Sequence, residues 1–153
     1  MNDPIHKTIT VPLAPPDAFA LFTDEIGTWW PATARSGREN HQETARNIRF
    51  GAHKGDKIVE TTDRGDTVVW GDIIAYDPGR FIAFTWHRGL TRADATVVKV
   101  SFRACDQGTQ CDLTHGGFDI LGPLADAVST SYLRRWDIVL GSYFGAAQHF
   151  EMA

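Results

Sequence analysis

Apolar and polar residues alternate with a period of two through most of this chain, then with a period of three to four near its end. The first period belongs to strands that cover one face, the second to an amphipathic helix. Residues 5–12 alternate as one strand, stopped by Pro12. Pro15-Pro16-Asp17 suits the first turn of a short helix whose apolar face is Ala18, Phe19, Leu21 and Phe22. Ile26, Trp29 and Trp30 continue the apolar pattern, and Pro31 ends it. Residues 32–45 are polar and irregular, which predicts a surface loop. Strand-like runs follow at about 46–51, 56–62, 67–76, 80–87, 96–105 and 109–118.

Compact turn signals separate these runs: Gly55-Asp56, Asp63-Arg64-Gly65-Asp66, Asp77-Pro78-Gly79 and Asp106-Gln107-Gly108. Glycine and Asp tolerate positive φ and proline presets a turn. In 96–103, Val98, Val100 and Phe102 share one side while Lys99, Ser101 and Arg103 share the other. Cys111, Leu113 and His115 form the apolar side of the next run. One wet and one covered face is the mark of an antiparallel sheet.

The last element starts between Pro123 and Thr130, with Pro123 as a first-turn proline or Ser129 or Thr130 as a cap, and runs to about Phe150. Val128, Tyr132, Trp136, Val139, Leu140, Tyr143, Phe144 and Ala147 recur at helical spacing. Gly141 and Gly145 weaken a helix by about 1 kcal/mol each relative to Ala, which predicts close packing against them. A meander followed by one amphipathic helix buries both apolar faces if the sheet curls around the helix, giving an α+β fold with a hollow between the two.

The 153 residues fit a single domain, 1–153, with no repeat or linker. Composition is that of a folded soluble protein, 42% apolar and 22% charged. The net charge of −4 and the lack of a basic run argue against nucleic acid as a partner. No stretch approaches the ~18 apolar residues of a membrane span, so membrane insertion is not expected. The polar N-terminus lacks an apolar signal core, and Cys105 and Cys111 show no redox or zinc spacing, so a cytoplasmic location with two reduced thiols is expected.

Six histidines raise the question of a metal. His6, His41, His53, His87, His115 and His149 show no paired helical spacing and no clustered acidic partners, so no metal and no cofactor is expected. No Gly-x-Ser-x-Gly elbow is present. Cys111 and His115 lie about 13 Å apart along one strand at ~3.3 Å per residue, too far for a dyad. No catalytic residue is assigned. Glu60, Asp72 and His115 are the groups available for acid–base work; Glu60 and Asp72 are expected on a wet strand face and His115 and His87 at a sheet rim.

Several of these residues carry a resemblance in their order and spacing. They are Phe19-x-x-Phe22-Thr23, Trp29-Trp30-Pro31, Trp70-Gly71-x-Ile73, Asp77-Pro78, Phe84-Thr85-Trp86, Gly108-Thr109, Thr114-His115-x-Gly117 and Trp136. From about residue 5 to 150 the chain resembles the SRPBCC superfamily. The branch it is most similar to is the C-terminal domain of the activator of heat-shock-protein-90 ATPase. The resemblance implies a helix-grip fold: a curved antiparallel sheet wrapped around a long C-terminal helix, with two small helices near the N-terminus. It also implies an internal cavity for a hydrophobic ligand. The chain departs from relatives at Arg135, where glycine often precedes the tryptophan, and at Ala52-His53-Lys54-Gly55, where a Gly-Gly pair is common.

The expected function is non-catalytic binding of a small hydrophobic or amphipathic molecule between sheet and helix. The walls would be Ile73, Phe84, Trp86, Val98, Val100 and Phe102, with Tyr132, Trp136 and Leu140 from the helix. Trp30 would guard the mouth and His115 would be a polar anchor. The rivals are a polyketide cyclase- or hydrolase-like enzyme in the same pocket and a co-chaperone-like protein-interaction module. Homodimerisation through a sheet edge or the helix is left open, and a chaperone partner is implied only by the resemblance.

Overall fold

The first strand of the chain pairs with the last, and the strands between them unroll in reverse order. In the computed structural model, residues 4–30, 48–51, 53–61, 67–87 and 95–148 are described. The elements are β1 Ile5–Val11, α1 Pro15–Phe22, α2 Ile26–Trp29, β2 Ile48–Phe50, β3 Lys57–Thr61, β4 Thr67–Asp77, β5 Phe81–Trp86, β6 Thr96–Cys105 and β7 Gly108–Gly116. A 3₁₀ segment, Phe118–Leu124, then leads into α3, Ala125–Ala147. The seven strands form one sheet in the order β1-β7-β6-β5-β4-β3-β2, antiparallel throughout. The sheet curls as a half-barrel and holds α3 along its concave side, which is the α+β helix-grip arrangement expected from the sequence.

The period-two pattern decides which side each strand residue takes. On β6, Thr96, Val98, Val100 and Phe102 are covered, and on β7, Thr109, Cys111, Leu113 and His115 are covered. Curvature comes from β4. Ile58 pairs with Gly71 but Val59 pairs with Val69, so Trp70 is an extra residue facing β3. Ile73 pairs with Phe84 but Ala75 pairs with Ala83, so Ile74 is extra facing β5. Bulges of this kind bend a strand and re-aim its side chains. Gly71 sits between them because a Cβ there would lie 1.7 Å from the backbone oxygen of Thr85.

Several sequence expectations change at the C-terminal end. The strand-like run stops at Gly116, because Gly117 turns the chain with φ of 84°. The helix starts at Ala125. Pro123 belongs to the preceding 3₁₀ segment, which Gly122 breaks with φ of 58°, and Ser129 and Thr130 lie inside α3 rather than capping it. Phe144 is 41% exposed instead of buried. A Cβ at Gly141 or Gly145 would meet nothing within 4 Å, so neither glycine marks a close approach.

Cys111 pairs with Phe102 and Cys105 with Gly108, so the two thiols are not opposed on their hairpin; both are free. The 32–45 loop, the 63–66 turn, His41 and His149 lie outside the described residues. Among the described residues no helix is long and apolar enough to cross a membrane.

Gly71→Ala should cost about 3 kcal/mol, since the obstruction is backbone and cannot rotate away. Gly145→Ala should stabilise by about 1 kcal/mol, through helix propensity alone. Urea midpoints moving in these opposite directions would support the packing described; a neutral Gly71→Ala would contradict it.

Candidate functional site

Mid-helix, Trp136 points its indole into the sheet, where its N–H must find an acceptor away from water. It donates to Nδ1 of His115 on β7 at 2.9 Å. Nδ1 therefore carries no proton, and the neutral ring holds its hydrogen on Nε2. Nε2 lies 2.7 Å from Oγ1 of Thr96, and that hydroxyl donates onward to the carbonyl of Trp86 at 3.0 Å. The relay thus runs helix, β7, β6, β5, with every buried polar atom in it satisfied.

One helical turn earlier, the Tyr132 hydroxyl accepts the Trp86 indole N–H at 2.9 Å. His115 has no exposed surface. Loss of hydration holds its pKa down at about 3. It is a core residue rather than one at the sheet rim.

Around this relay four tryptophans from four elements meet. Trp30 follows α2, and its ring lies 5.1 Å from Trp70 of β4, 5.9 Å from Trp86 of β5 and 6.2 Å from Trp136 of α3. Trp70 and Trp86 are 5.4 Å apart, and Trp86 and Trp136 are 6.0 Å apart. Phe84 adds a contact to Trp86 at 5.6 Å and Phe50 one to Phe84 at 5.4 Å.

Glu60 is buried against this group, 1% exposed, and its Oε1 accepts the Trp70 indole N–H at 3.0 Å. The wet-face expectation for Glu60 is therefore reversed. Alternation along β3 places it with Ile58, which is also buried, and that signal was available in the sequence. Asp72 does lie on the outer face, where Lys57 donates to it at 3.0 Å. His87 closes the end of β5 with its backbone N–H on the Trp70 carbonyl. Its ring is buried, and among the described residues neither ring nitrogen has a hydrogen-bond partner.

A second aromatic group fills the space under α1. Phe102 packs on Phe19 at 5.3 Å and on Phe22 at 5.9 Å. Phe22 meets Tyr143 at 5.3 Å and Trp29 at 5.5 Å. Tyr143 donates its hydroxyl to the Ala18 carbonyl at 2.7 Å, Trp29 its indole N–H to Leu21 at 2.7 Å, and Ser142 its hydroxyl to the Trp29 carbonyl. Burial raises the Tyr143 pKa and pushes the Cys111 thiol up to about 12, so neither is a nucleophile at neutral pH.

Of the wall residues read from the sequence, Trp30, Phe84, Trp86, His115, Tyr132 and Trp136 come together. Ile73 and Val98 both pair with Phe84, beside that group. Val100 lies one step further along, between Ile82 and Leu113. Phe102 belongs to the α1 group, and Leu140 lines an outer groove with Lys7 and Ile9. Trp70 and Phe50 join the tryptophan group without having been assigned to it; the bulge that turns Trp70 inward has no signature in the sequence. Cys111 and His115 have separate partners, Tyr143 and the Thr96–Trp136 pair. Among the described residues no group of three or more His, Cys, Asp or Glu gathers to hold a metal.

Residues 13–136 match the family model of the Activator of Hsp90 ATPase homolog 1-like protein. Among solved structures, protein MLL2253 of Mesorhizobium loti shares the fold over 98% of this chain and 100% of its own, at TM-score 0.71 and 13% identity. The Aha1 dimer of Colwellia psychrerythraea covers 95% and 96%, at TM-score 0.65 and 15% identity. Txn09, an anthrahydroquino-Gama-pyrone synthase complexed with SUM, covers 83% and 84%, at TM-score 0.58 and 23% identity. No curated protein sequence matches the chain.

The His115 relay predicts an acid-sensitive fold. The folded-state pKa is about 3 against an ordinary 6.5, so the unfolded chain binds the extra proton between those values. Stability from His115 is complete above pH 6.5 and is lost progressively as pH falls towards 3. Acidification from pH 7 to pH 5 should cost about 2 kcal/mol through this group. His115→Gln, which keeps a donor and an acceptor but does not titrate, should flatten the slope of urea stability against pH by that amount. Identical slopes in the two proteins would refute the assignment.

Proposed function

The chain belongs to the Activator of Hsp90 ATPase homolog 1-like family, and from that premise we propose that it binds a small hydrophobic or amphipathic molecule between the sheet and α3 without transforming it. The ligand's apolar body lies at the tryptophan end of the grip, against Trp30, Trp86 and Trp136, with Ile73, Phe84, Val98 and Tyr132 behind them. Val100, Phe102 and Leu140 extend the wall towards α1 and β1. One observation carries this reading: four tryptophans from separate parts of the chain meet at one end of the grip, and one of them, Trp70, is hydrogen-bonded to a buried carboxylate, Glu60. Glu60 gives the buried Trp70 N–H its acceptor, but a neutral side chain could do the same without the cost of desolvating a carboxylate. A carboxylate bordering a cluster of flat apolar rings suits a ligand with an apolar body and one polar end.

A non-catalytic role is supported by His115, whose two ring nitrogens are committed to Trp136 and Thr96. As the anchor of a ligand it would act through Thr96 or Trp136. A second reading, a polyketide cyclase-like enzyme in the same place, is favoured by the burial of Glu60 and by the fold shared with the synthase Txn09. A third, a protein-interaction module with a chaperone partner, draws support from the exposed apolar residues Ile120, Leu124, Leu133 and Ile138. The dimeric Aha1 neighbour supports a homodimer, and the family and composition support a cytoplasmic protein.

Native mass spectrometry of freshly purified protein, followed by titration of tryptophan fluorescence with fatty acids and flat aromatic compounds, tests the reading. A co-purified small molecule or saturable quenching is expected. Trp30→Phe should weaken affinity about tenfold, since losing part of an indole contact removes ~1.4 kcal/mol of apolar burial. Glu60→Gln should change selectivity between neutral and cationic heads while leaving the bound molecule chemically intact. Product appearing with wild type and vanishing in Glu60→Gln would install the enzyme instead. Protein that arrives empty and is silent to the whole panel would reject both.

A further inference from the structure

Among the described residues, β1 and β2 are the two edges of the sheet. They differ sharply as surfaces. β2 is three residues long, and short edges template little. β1 is seven residues long and pairs with β7 in unbroken register from Ile5↔His115 to Val11↔Thr109. An antiparallel strand uses alternate residues for each neighbour, so half of the β1 backbone groups face away from β7. The usual protections of such an edge are bulges, internal proline and outward charge. Ile5–Val11 holds neither bulge nor proline, and its one lysine, Lys7, is drawn onto Asp137 of α3 at 2.8 Å. Beside the strand runs an open groove of about 340 Å³, lined by Lys7, Thr8, Ile9, Asp137, Leu140, Gly141 and Phe144. It continues past Phe144 to Thr10, Val11 and Gln148.

We propose that this edge and groove are a homodimer interface, in which two copies of β1 pair antiparallel about Thr8 and extend the sheet across a two-fold axis. The sequence of β1 fits that register. Ile5 meets the partner's Val11, His6 the partner's Thr10, Lys7 the partner's Ile9, and Thr8 its own counterpart. No like charges stand directly opposed, and a Thr–Thr pair occupies the axis. Charge complementarity selects a second copy over another strand. Asp137 keeps 66% of its side-chain surface open while holding Lys7, so its carboxylate has room for a second cation. The partner's Lys7 arrives one diagonal step away, and two lysines then alternate with two aspartates around the axis. Phe144, 41% exposed and shared by both parts of the groove, supplies the apolar contact beside them. This interface is independent of what the tryptophan end binds.

Sedimentation velocity over a wide concentration range should show a monomer–dimer equilibrium. Thr8 donates to Asp112 of its own chain at 2.8 Å, so Thr8→Lys keeps a favourable partner within the protomer. It nevertheless opposes two like charges at the axis, and the dimer Kd should rise at least about tenfold. In a Cys105→Ser background, Thr8→Cys should form an interchain disulfide on oxidation, because residues paired at the axis sit about 4.5–5.5 Å apart between Cα atoms. His6→Cys, placed opposite Thr10, should not crosslink. Circular dichroism confirms that each variant folds. A monomer at every concentration, a dimer indifferent to Thr8→Lys, or equal crosslinking at both positions would each overturn the proposal.

Discussion

Trp136 sets the terms for the rest of the core. Its indole N–H enters a region from which water is excluded, and an unsatisfied donor there costs about 1–3 kcal/mol. The partner it finds is a histidine whose other nitrogen must then donate, and the next atom along must both accept and donate. Threonine meets that requirement, and its proton ends on the Trp86 carbonyl, a backbone group at the end of β5. A helix could slide along an apolar sheet with little change in buried area. The bond to His115 and the Tyr132–Trp86 bond one turn earlier remove that freedom, because a shift by one turn strands four polar atoms at once. The register of α3 against β5 and β7 is therefore a hydrogen-bond decision made inside an apolar environment.

The other end of the grip is shaped by backbone rather than by side-chain chemistry. Two extra residues on β4 bend the sheet where it faces β3 and β5. The first bulge turns Trp70 towards Trp30 and Glu60, and Gly71 lets the backbone of β5 approach closely enough for the turn to be made. The tryptophan group is thus held by three unlike constraints: a bulge under Trp70, the Tyr132 hydroxyl on Trp86, and the relay on Trp136. Rings held in this way keep their tilted and edge-on contacts.

Most of this architecture was legible in the chain, and the reasons differ by element. Strict alternation on β6 and β7 named the inward residues correctly, since a slip of one would expose every one of them. The turn glycines at 55, 79 and 108 all adopt positive φ, as their neighbours Asp and Pro suggested. The start of α3 was not legible. Phe118–Leu124 carries apolar residues and a proline at spacings that suit either helix type, and only the backbone at Gly122 separates them. Helix periodicity also overstated the buried face, placing Phe144 inward when it borders an open groove. The relay was invisible because its members are remote in sequence and share no motif. Glu60 was readable but misread: composition argued that a charge faces water, while its own alternation with Ile58 argued the opposite, and the local pattern was right.

These constraints bear on how such a grip accommodates a guest. The tryptophan rings touch, so a guest must replace ring–ring surface with ring–guest surface rather than fall into standing water-filled room. Little apolar area is then newly removed from water on the protein side, and the driving force comes mainly from the guest's own burial at ~25 cal/mol per Å². Any energy needed to part the rings reduces apparent affinity by the population of the parted state. Trp86 and Trp136 are fixed by hydrogen bonds to Tyr132 and His115 on α3 and β7, and Trp70 by one to Glu60 on the neighbouring strand. The guest proposed above would therefore lie against indoles whose polar ends are already engaged, which leaves their flat faces for the contact.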